Sequence, residues 1–403
     1  MQQHRLLVGV DVGCRKHSVA ISGPGGISEQ FEIPHDASGF QYFFGQVAKQ
    51  ARLQKTMDVF VGMEGTNGYA RPLDQMVKTK GYHLLNVNNL KLARFKEIFA
   101  APAKTDCLDA QQIVTLMMMA PFMERAKETL QEVPLVDKAE VQLKRISRRR
   151  RQLVQEKVVI QNRMQADLQS VLPGFLDVIK QVDSLYVLRF LSLHSDFRKL
   201  ARVKATTLRK IPGIGEALAA KLTQWQRTAS FGEEIEWVGP MISEDAKRIL
   251  ELKQKIDALE AQMENLISQS SLASLLDSIP GFGTVCTAEI TGEIGTLDRF
   301  KTESGLALYL GMAPLDNSSG TYKGTKSPRQ VNKRCRAAML VAMSHHIRTV
   351  EESNRYYEKK RAEGKKHNQA LRSLGRHITR VIWSMVKNNR KYLMQKETND
   401  KVA

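Results

Sequence analysis

Apolar and polar positions alternate along the first third of the chain in a way that predicts its elements. Arg5–Val12 is a nearly unbroken apolar run, His17–Ser22 alternates, Gly23-Pro24-Gly25-Gly26 is a turn, and Ile27–Ile33 alternates again. Short alternating runs bounded by turn residues read as strands. The spacing of Phe40, Phe43, Phe44 and Val47 predicts a helix over Ala37–Ala51. A continuous apolar strand is expected at Met57–Met63, then a helix near Tyr69–Lys80, a strand at His83–Val87 and a helix at Leu90–Phe99. The middle of the chain has a different period. Ile146, Leu153 and Ile160 recur at sevens and lead to Met164 and Leu168. Ile249, Leu252, Ile256, Leu259, Met263 and Leu266 alternate by three and four, the pattern of a coiled-coil seam.

Three antiparallel strands followed by alternating helices and strands match an α/β ribonuclease H-like core. The two heptad stretches flank residues 175–240 and predict an antiparallel stalk with a globular tip, an ordinary helical bundle being the alternative. The seam also points to assembly between chains, as a homodimer or homotetramer. The expected organisation is an α/β domain over 1–130, a helical coiled-coil domain with an inserted tip over 131–272, and a mainly α domain over 273–403. Two pentapeptides repeat, Ile211-Pro212-Gly213-Ile214-Gly215 and Ile279-Pro280-Gly281-Phe282-Gly283. They resemble the hairpin of helix-hairpin-helix modules, in which glycines such as Gly281 and Gly283 let backbone N–H groups approach a phosphate. Plain helix-connecting turns use the same residues.

Charge narrows the partner class. The 403 residues include 61 Lys+Arg against 42 Asp+Glu, a net +19. Between Thr321 and Lys391 there are 19 Lys+Arg and 4 Asp+Glu, so most of the excess lies in one segment. Such concentration points to a polyanion, with Lys323, Lys326, Arg329, Lys333, Arg334 and Arg336 as candidate contacts. The run Arg148-Arg149-Arg150-Arg151 is a further candidate, a solvated helix face being the alternative. Cys14, Cys107, Cys286 and Cys335 form no C-x-x-C pair and read as reduced thiols. The chain reaches Asp11 too soon for a signal peptide, and no apolar stretch approaches the ~18 residues of a membrane span. A cytoplasmic protein with no membrane partner is expected.

Candidate chemistry rests on four acids. Asp11 ends the run Leu6-Leu7-Val8-Gly9-Val10, and Glu64 ends Val59-Phe60-Val61-Gly62-Met63. Asp106 and Asp109 lie in Lys104-Thr105-Asp106-Cys107-Leu108-Asp109-Ala110 at an expected helix start, three residues apart and so on one face. Clustered carboxylates repel one another unless a divalent cation sits between them. Mg²⁺, or Mn²⁺ in its place, takes oxygen ligands and keeps waters and phosphates in its shell. Paired ions clamp the attacking and leaving oxygens of an in-line phosphoryl displacement. Downstream, Leu306–Pro314 is an apolar helix end closed by Gly311 and Pro314, and Ser319-Gly320 follows in an expected loop. A serine in a loop with cations behind it suits a nucleophile for phosphate.

The acid set, Ile-Pro-Gly-Phe-Gly at 279–283, Gly311-Met312-Ala313-Pro314 and Ser319-Gly320 together resemble the DEDD transposases of bacterial insertion sequences and the related pilin-gene invertase. The resemblance runs nearly end to end, although residues 171–245 are longer than in compact members. It implies a RuvC-like N-terminal domain, a coiled coil and a C-terminal transposase domain in a nucleoid-associated bacterial protein. It further implies Mg²⁺ held by Asp11, Glu64, Asp106 and Asp109, and Ser319 attacking the phosphate of donor or target double-stranded DNA. A structured bridge RNA that guides target choice is implied as well. One departure stands out: the family's Ser-Lys-x-Gly-Asn segment corresponds here to Pro328-Arg329-Gln330-Val331-Asn332, which keeps a cation and the Asn but loses the Gly. Three alternatives remain open at this point: a hydrolytic junction nuclease with Ser319 idle, an actin-like ATPase, and a non-enzymatic nucleic-acid-binding protein. No second Asp-x-Gly phosphate loop accompanies Asp11, which weakens the ATPase reading.

Overall fold

The computed structural model describes residues 5–64, 68–88, 92, 93, 95, 97, 106–122, 129–326, 328 and 331–393. The chain divides into two compact units, residues 1–136 with 298–301, and residues 137–297 with 302–403.

The first unit is a six-stranded mixed sheet. Its elements are β1 (Leu6–Val12), β2 (Lys16–Gly23), β3 (Gly26–Pro34), α1 (Ala37–Leu53), β4 (Val59–Glu64), α2 (Arg71–Thr79), β5 (His83–Val87), α3 (Asp106–Met119) and β6 (Leu130–Glu132). The spatial order is β3-β2-β1-β4-β5-β6. β1, β2 and β3 pair antiparallel, β1–β4 and β4–β5 pair parallel, and β6 returns antiparallel on β5. The first five strands follow the ribonuclease H-like order expected from the sequence. α1 starts where the Asp36 carboxylate accepts from the Gly39 N–H, an N-cap. Its Phe40, Phe43, Phe44 and Val47 face are buried with Leu6, Val8, Val10 and Val61 of the sheet. β6, three residues long, has no counterpart among the expected strands. The helix expected at Leu90–Phe99 lies mostly outside the described residues.

The second unit is helical. α4 (Lys138–Val171) and α10 (Ile235–Gln269) are its two long helices. They pack side by side, and their ion pairs Arg150–Glu260, Glu156–Arg248 and Arg163–Asp245 run in opposite sequence order, so the helices are antiparallel. Between them lie short helices α5 (Phe175–Val178), α6 (Leu185–Leu191), α7 (Phe197–Leu200), α8 (Ala205–Leu208) and α9 (Glu216–Thr228). Phe175, Phe190 and Trp225 pack ring against ring in that tip. The expected seam is consumed within the chain: Ile249, Leu252 and Met263 are fully buried, in clusters that include Leu153, Ile160 and Leu143 of α4. This corrects the expectation that the Ile249–Leu266 stripe joins two chains, because α4 already covers it.

The remaining elements are α11 (Ser271–Asp277), α12 (Thr284–Ile294), α13 (Glu303–Tyr309), β7 (Leu315–Ser319), β8 (Tyr322–Lys326), α14 (Lys333–Thr349), α15 (Glu351–Ala362) and α16 (His367–Lys387). α12 packs on α4 so closely that a Cβ at Gly292 would lie 2.4 Å from the Lys144 backbone N. The stalk and the C-terminal helices belong to the same compact unit. Arg148 and Glu293 fasten this contact with two hydrogen bonds of 2.6 and 2.8 Å. Asn332 adds a third bond to Glu293 at 2.8 Å, bonds the Tyr309 hydroxyl, and caps α14 through the Arg334 and Cys335 N–H groups. Burial works to raise the Glu293 pKa, but Arg148 and Asn332 outweigh it and hold the carboxyl below its usual range. Among the described residues, no helix is long and apolar enough to cross a membrane.

Candidate active site

Two glycines set the geometry of the acidic end of the sheet. Gly9 and Gly62 are paired across β1 and β4. A Cβ on Gly9 would stand 2.4 Å from the Ala110 carbonyl oxygen and 2.9 Å from Val114 Cγ2. A Cβ on Gly62 would stand 2.6 Å from Met117 Sδ and 2.9 Å from Ile113 Cγ2. α3 thus lies directly on the sheet backbone, crossing from β1 at Ala110 to β4 at Met117, with its first turn on the β1 side. Strand side chains alternate between faces, so residues two apart share one. Asp11 and Glu64 are each two residues beyond their strand's glycine and share the face that α3 covers. They also stand one rung past the last paired residues, Val10 and Met63. Neighbouring strands are ~4.8 Å apart, so the two acids are adjacent at the sheet's end.

α3 opens with Asp106, and Asp109 follows one turn on, half-buried like Asp11 and Glu64. The Asp106 side chain lies outside the described residues. Among those described, no group of three His, Cys, Asp or Glu side chains converges on one point as a metal site. The donor set nonetheless suits a hard cation, being all carboxylate oxygen. One further atom fits: Ser18 pairs with Asp11 in register and shares its face, and its buried hydroxyl has no hydrogen-bond partner among the described residues. Sequence reasoning missed Ser18, and only the β1–β2 register reveals it.

On the other face of β2, His17 is fully buried and its Nε2 lies 2.8 Å from His35 Nδ1. Burial first, and the His35 charge second, push the His17 pKa down to about 4. In α2, burial lifts the Asp74 pKa to about 6 against the pull of Lys78 and Arg71.

The second unit carries the other candidate residues. Ser319 is exposed at the end of β7, paired with Tyr322. The expected loop is instead a β-hairpin, turned by Gly320 and Thr321, with Gly320 at φ 58° as the first position of a II′ turn asks of glycine. Its polar sequence hides the strand. Lys333 and Arg334 are exposed in the first turn of α14, where the helix dipole favours anions over cations, so a bound anion would be doubly welcome. Lys326 is exposed, Arg329 and the Lys323 side chain lie outside the description, and Arg336 is half-buried.

The two hairpin pentapeptides share one geometry. Gly213 and Gly281 have φ of 98° and 87°, while Gly215 and Gly283 precede α9 and α12 as N-cap residues. Gly281 is pressed on α14, where a Cβ would be 2.5 Å from the His346 N, so its role is helix packing. Gly283 faces open space. The arginine run is largely engaged within the chain. Arg148 bonds Glu293, Arg150 bonds Glu260, and Arg151 bonds Glu289 through two hydrogen bonds. These three guanidinium groups hold α4 to its neighbours, which leaves Arg149 as the exposed member.

A profile described as transposase, of the DEDD type of IS110 elements, matches residues 8–173, and one described as the IS116/IS110/IS902 transposase family matches residues 273–358. The chain belongs to this transposase family. Full-length relatives of this family agree. The insertion element IS110 uncharacterized 43.6 kDa protein of Streptomyces coelicolor is 26% identical over 96% of this chain and 95% of its own. The insertion element IS116 uncharacterized 44.8 kDa protein of Streptomyces clavuligerus is 24% identical over 96% of each. The insertion element IS900 uncharacterized 42 kDa protein of Mycobacterium paratuberculosis is 27% identical over 81% of this chain and 82% of its own. A solved Thermus-type structure, T. thermophilus RuvC in complex with Holliday junction substrate, aligns at 12% identity with a TM-score of 0.24 over 32% of this chain, too loosely to bear on chemistry. All four acids fall inside the first matched segment and Ser319 inside the second.

Proposed function

We propose that this transposase-family chain cuts and rejoins DNA strands through a covalent serine–DNA intermediate. Asp11, Glu64, Asp106 and Asp109 would hold Mg²⁺, which supplies charge neutralisation at the phosphate. The observation that carries this reading is the shared face of Asp11 and Glu64 at adjacent strand ends, with the first turn of α3 beside them. In the cutting step the Ser319 hydroxyl loses its proton, its Oγ bonds to phosphorus, and the phosphorus–oxygen bond to the neighbouring deoxyribose breaks. The released oxygen takes up a proton. Attack by a second DNA hydroxyl reverses these changes and returns the serine. The phosphoserine keeps the bond energy, so rejoining needs no ATP. An exposed hairpin end, with Lys326 on the returning strand, suits such a nucleophile. A structured guide RNA belongs to the same proposal and is supported by the basic excess and the family membership.

Trapped protein–DNA adducts on a denaturing gel test the serine. Adducts should disappear in Ser319→Ala and persist in Ser318→Ala. Persistence in Ser319→Ala would exclude Ser319. Strand cutting without any adduct would favour a hydrolytic nuclease that uses the carboxylates alone.

A further inference from the structure

A cavity of about 500 Å³ opens in the second unit. Its floor is the turn Gly311-Met312-Ala313-Pro314, and its walls come from β8, α14, α15 and α16. The turn is fixed by two backbone bonds, Gly311 N–H to the Leu308 carbonyl at 3.0 Å and Met312 N–H to the Ala307 carbonyl at 2.9 Å. That is a Schellman ending, with Gly311 at φ 70°. Close approaches pin the walls. A Cβ at Gly311 would meet Arg336 Cδ at 2.9 Å, and one at Gly375 would meet Met312 Sδ at 2.4 Å. The side chains brought in are Lys326, Arg336, Lys365, Arg372, Arg376 and Arg380, and among the described residues no carboxylate lines the cavity.

Six cations around one concavity are costly unless an anion joins them. Two are met from outside the lining, Arg376 by Glu303 and Lys365 by Glu363 at 3.7 Å. His377, also in the wall, senses the field: burial first, then Arg380, Arg376 and Lys360, push its pKa below the usual value. The aromatic in the wall, Tyr356, is already occupied. Its hydroxyl lies 3.0 Å from His377 Nε2, the His377 ring sits edge-on at 4.8 Å, and Lys360 Nζ lies 5.5 Å from its ring centroid. The cavity therefore offers charge and little stacking surface, the chemistry of a phosphate seat rather than a base pocket.

We propose that this cleft seats the phosphodiester backbone of a nucleic-acid strand without reading its bases. Lys326, which reaches the cleft, pairs with Leu315 at the base of the hairpin that carries Ser319 at its far end. Four residues of strand span ~13 Å, a distance that one nucleic-acid strand bridges. The cleft thus anchors the strand ~13 Å from the phosphate offered to Ser319. That spacing rests on the serine reading; the affinity of the cleft for phosphodiester does not.

The test is binding by the full chain as a function of salt, with duplex DNA, oligo-dT and oligo-U as probes. Arg372→Ala/Arg380→Ala should weaken binding about tenfold and reduce the salt slope by about 1.8 on duplex or about 1.4 on single strands. Arg372→Lys/Arg380→Lys keeps the charge and should keep the slope. The probe that loses most identifies the strand that the cleft takes, duplex DNA, single-stranded DNA or RNA. An unchanged slope on all three probes, in an Ala variant whose circular dichroism and melting match the parent, overturns the proposal. Adduct formation does not enter this readout, so failure of the serine reading and failure of the cleft are told apart.

Discussion

Two arginine-rich regions of one helical unit have opposite fates. Arg148, Arg150 and Arg151 each meet a glutamate on a facing helix, and Glu289 and Glu293 are buried behind them. Arg336, Arg372 and Arg380 stand around a cavity with no lining acid among the described residues. Local charge density is higher in the first region, yet it is the second that is left open to a polyanion. The difference lies in what the opposite helix carries. Charges answered inside the chain hold the fold together, and charges of one sign gathered without an answer make a site.

The same division runs through the carboxylates, and it yields the largest expected effect. Asp11→Ala and Asp106→Ala should each abolish strand exchange while leaving nucleic-acid binding and the melting temperature near the parent's. If these acids hold Mg²⁺ as proposed, removing one carboxylate opens the metal shell and leaves the transition-state charge unneutralised. Purified protein in a recombination assay checks this, and normal exchange by either variant would remove the metal-site reading. Arg148→Ala should do the reverse. It strands Glu293 in the interior and should cost about 3 kcal/mol, the low end for a buried pair because Arg148 is 34% exposed. Urea unfolding measures it, and the salt slope of DNA binding should stay unchanged. A steep loss of slope without loss of stability would erase the contrast between the two arginine regions.

Buried titrating groups sharpen the comparison in the first unit. The folded pKa of His17 is depressed, so its contribution is complete above ~6.5 and is lost as pH falls toward 4. The folded pKa of Asp74 is raised, so its contribution grows as pH falls from about 6 toward the ordinary carboxylate range. Each amounts to about 3 kcal/mol at most and the signs oppose. The parent should therefore change little over that window from these two groups. His17→Gln should gain stability on acidification and Asp74→Asn should lose it, as read by the urea midpoint against pH. Parallel pH curves for both variants would contradict the opposed shifts. The smallest expected effect is on the cleft: Arg372→Ala/Arg380→Ala should leave the melting temperature within about 2 °C of the parent's, since surface substitutions stay within about 0.5 kcal/mol.

The strands and helices of the first unit were legible because each is a run of one period bounded by turns, from Leu6–Val12 to His83–Val87. Leu130–Glu132 was not, since three residues carry no period. The strand-end places of Asp11 and Glu64 and the helix-start place of Asp106 were legible because each ends an apolar run or begins a helix. Periodicity showed that Ile249–Leu266 is a seam, but it names no partner, and the partner is α4 rather than a second chain. The ion pairs of Arg148, Arg150 and Arg151 were hidden for a related reason, because their glutamates are more than a hundred residues away. The cleft was invisible along the sequence, for its lining residues are scattered from Gly311 to Arg380 and only folding gathers them.

Gly9 and Gly62 act as shims of zero thickness. The gap between α3 and the sheet is set by two hydrogen atoms, and a Cβ at Gly9 would intrude on the Ala110 carbonyl at 2.4 Å. Restoring ordinary contact would lift the helix by about 1 Å, enough to cost a positioned reaction on the order of a hundredfold. A single methyl group on a residue with no chemistry of its own would thus shift Asp106 and Asp109 against Asp11 and Glu64 and slow the proposed reaction without removing any acid from the sequence.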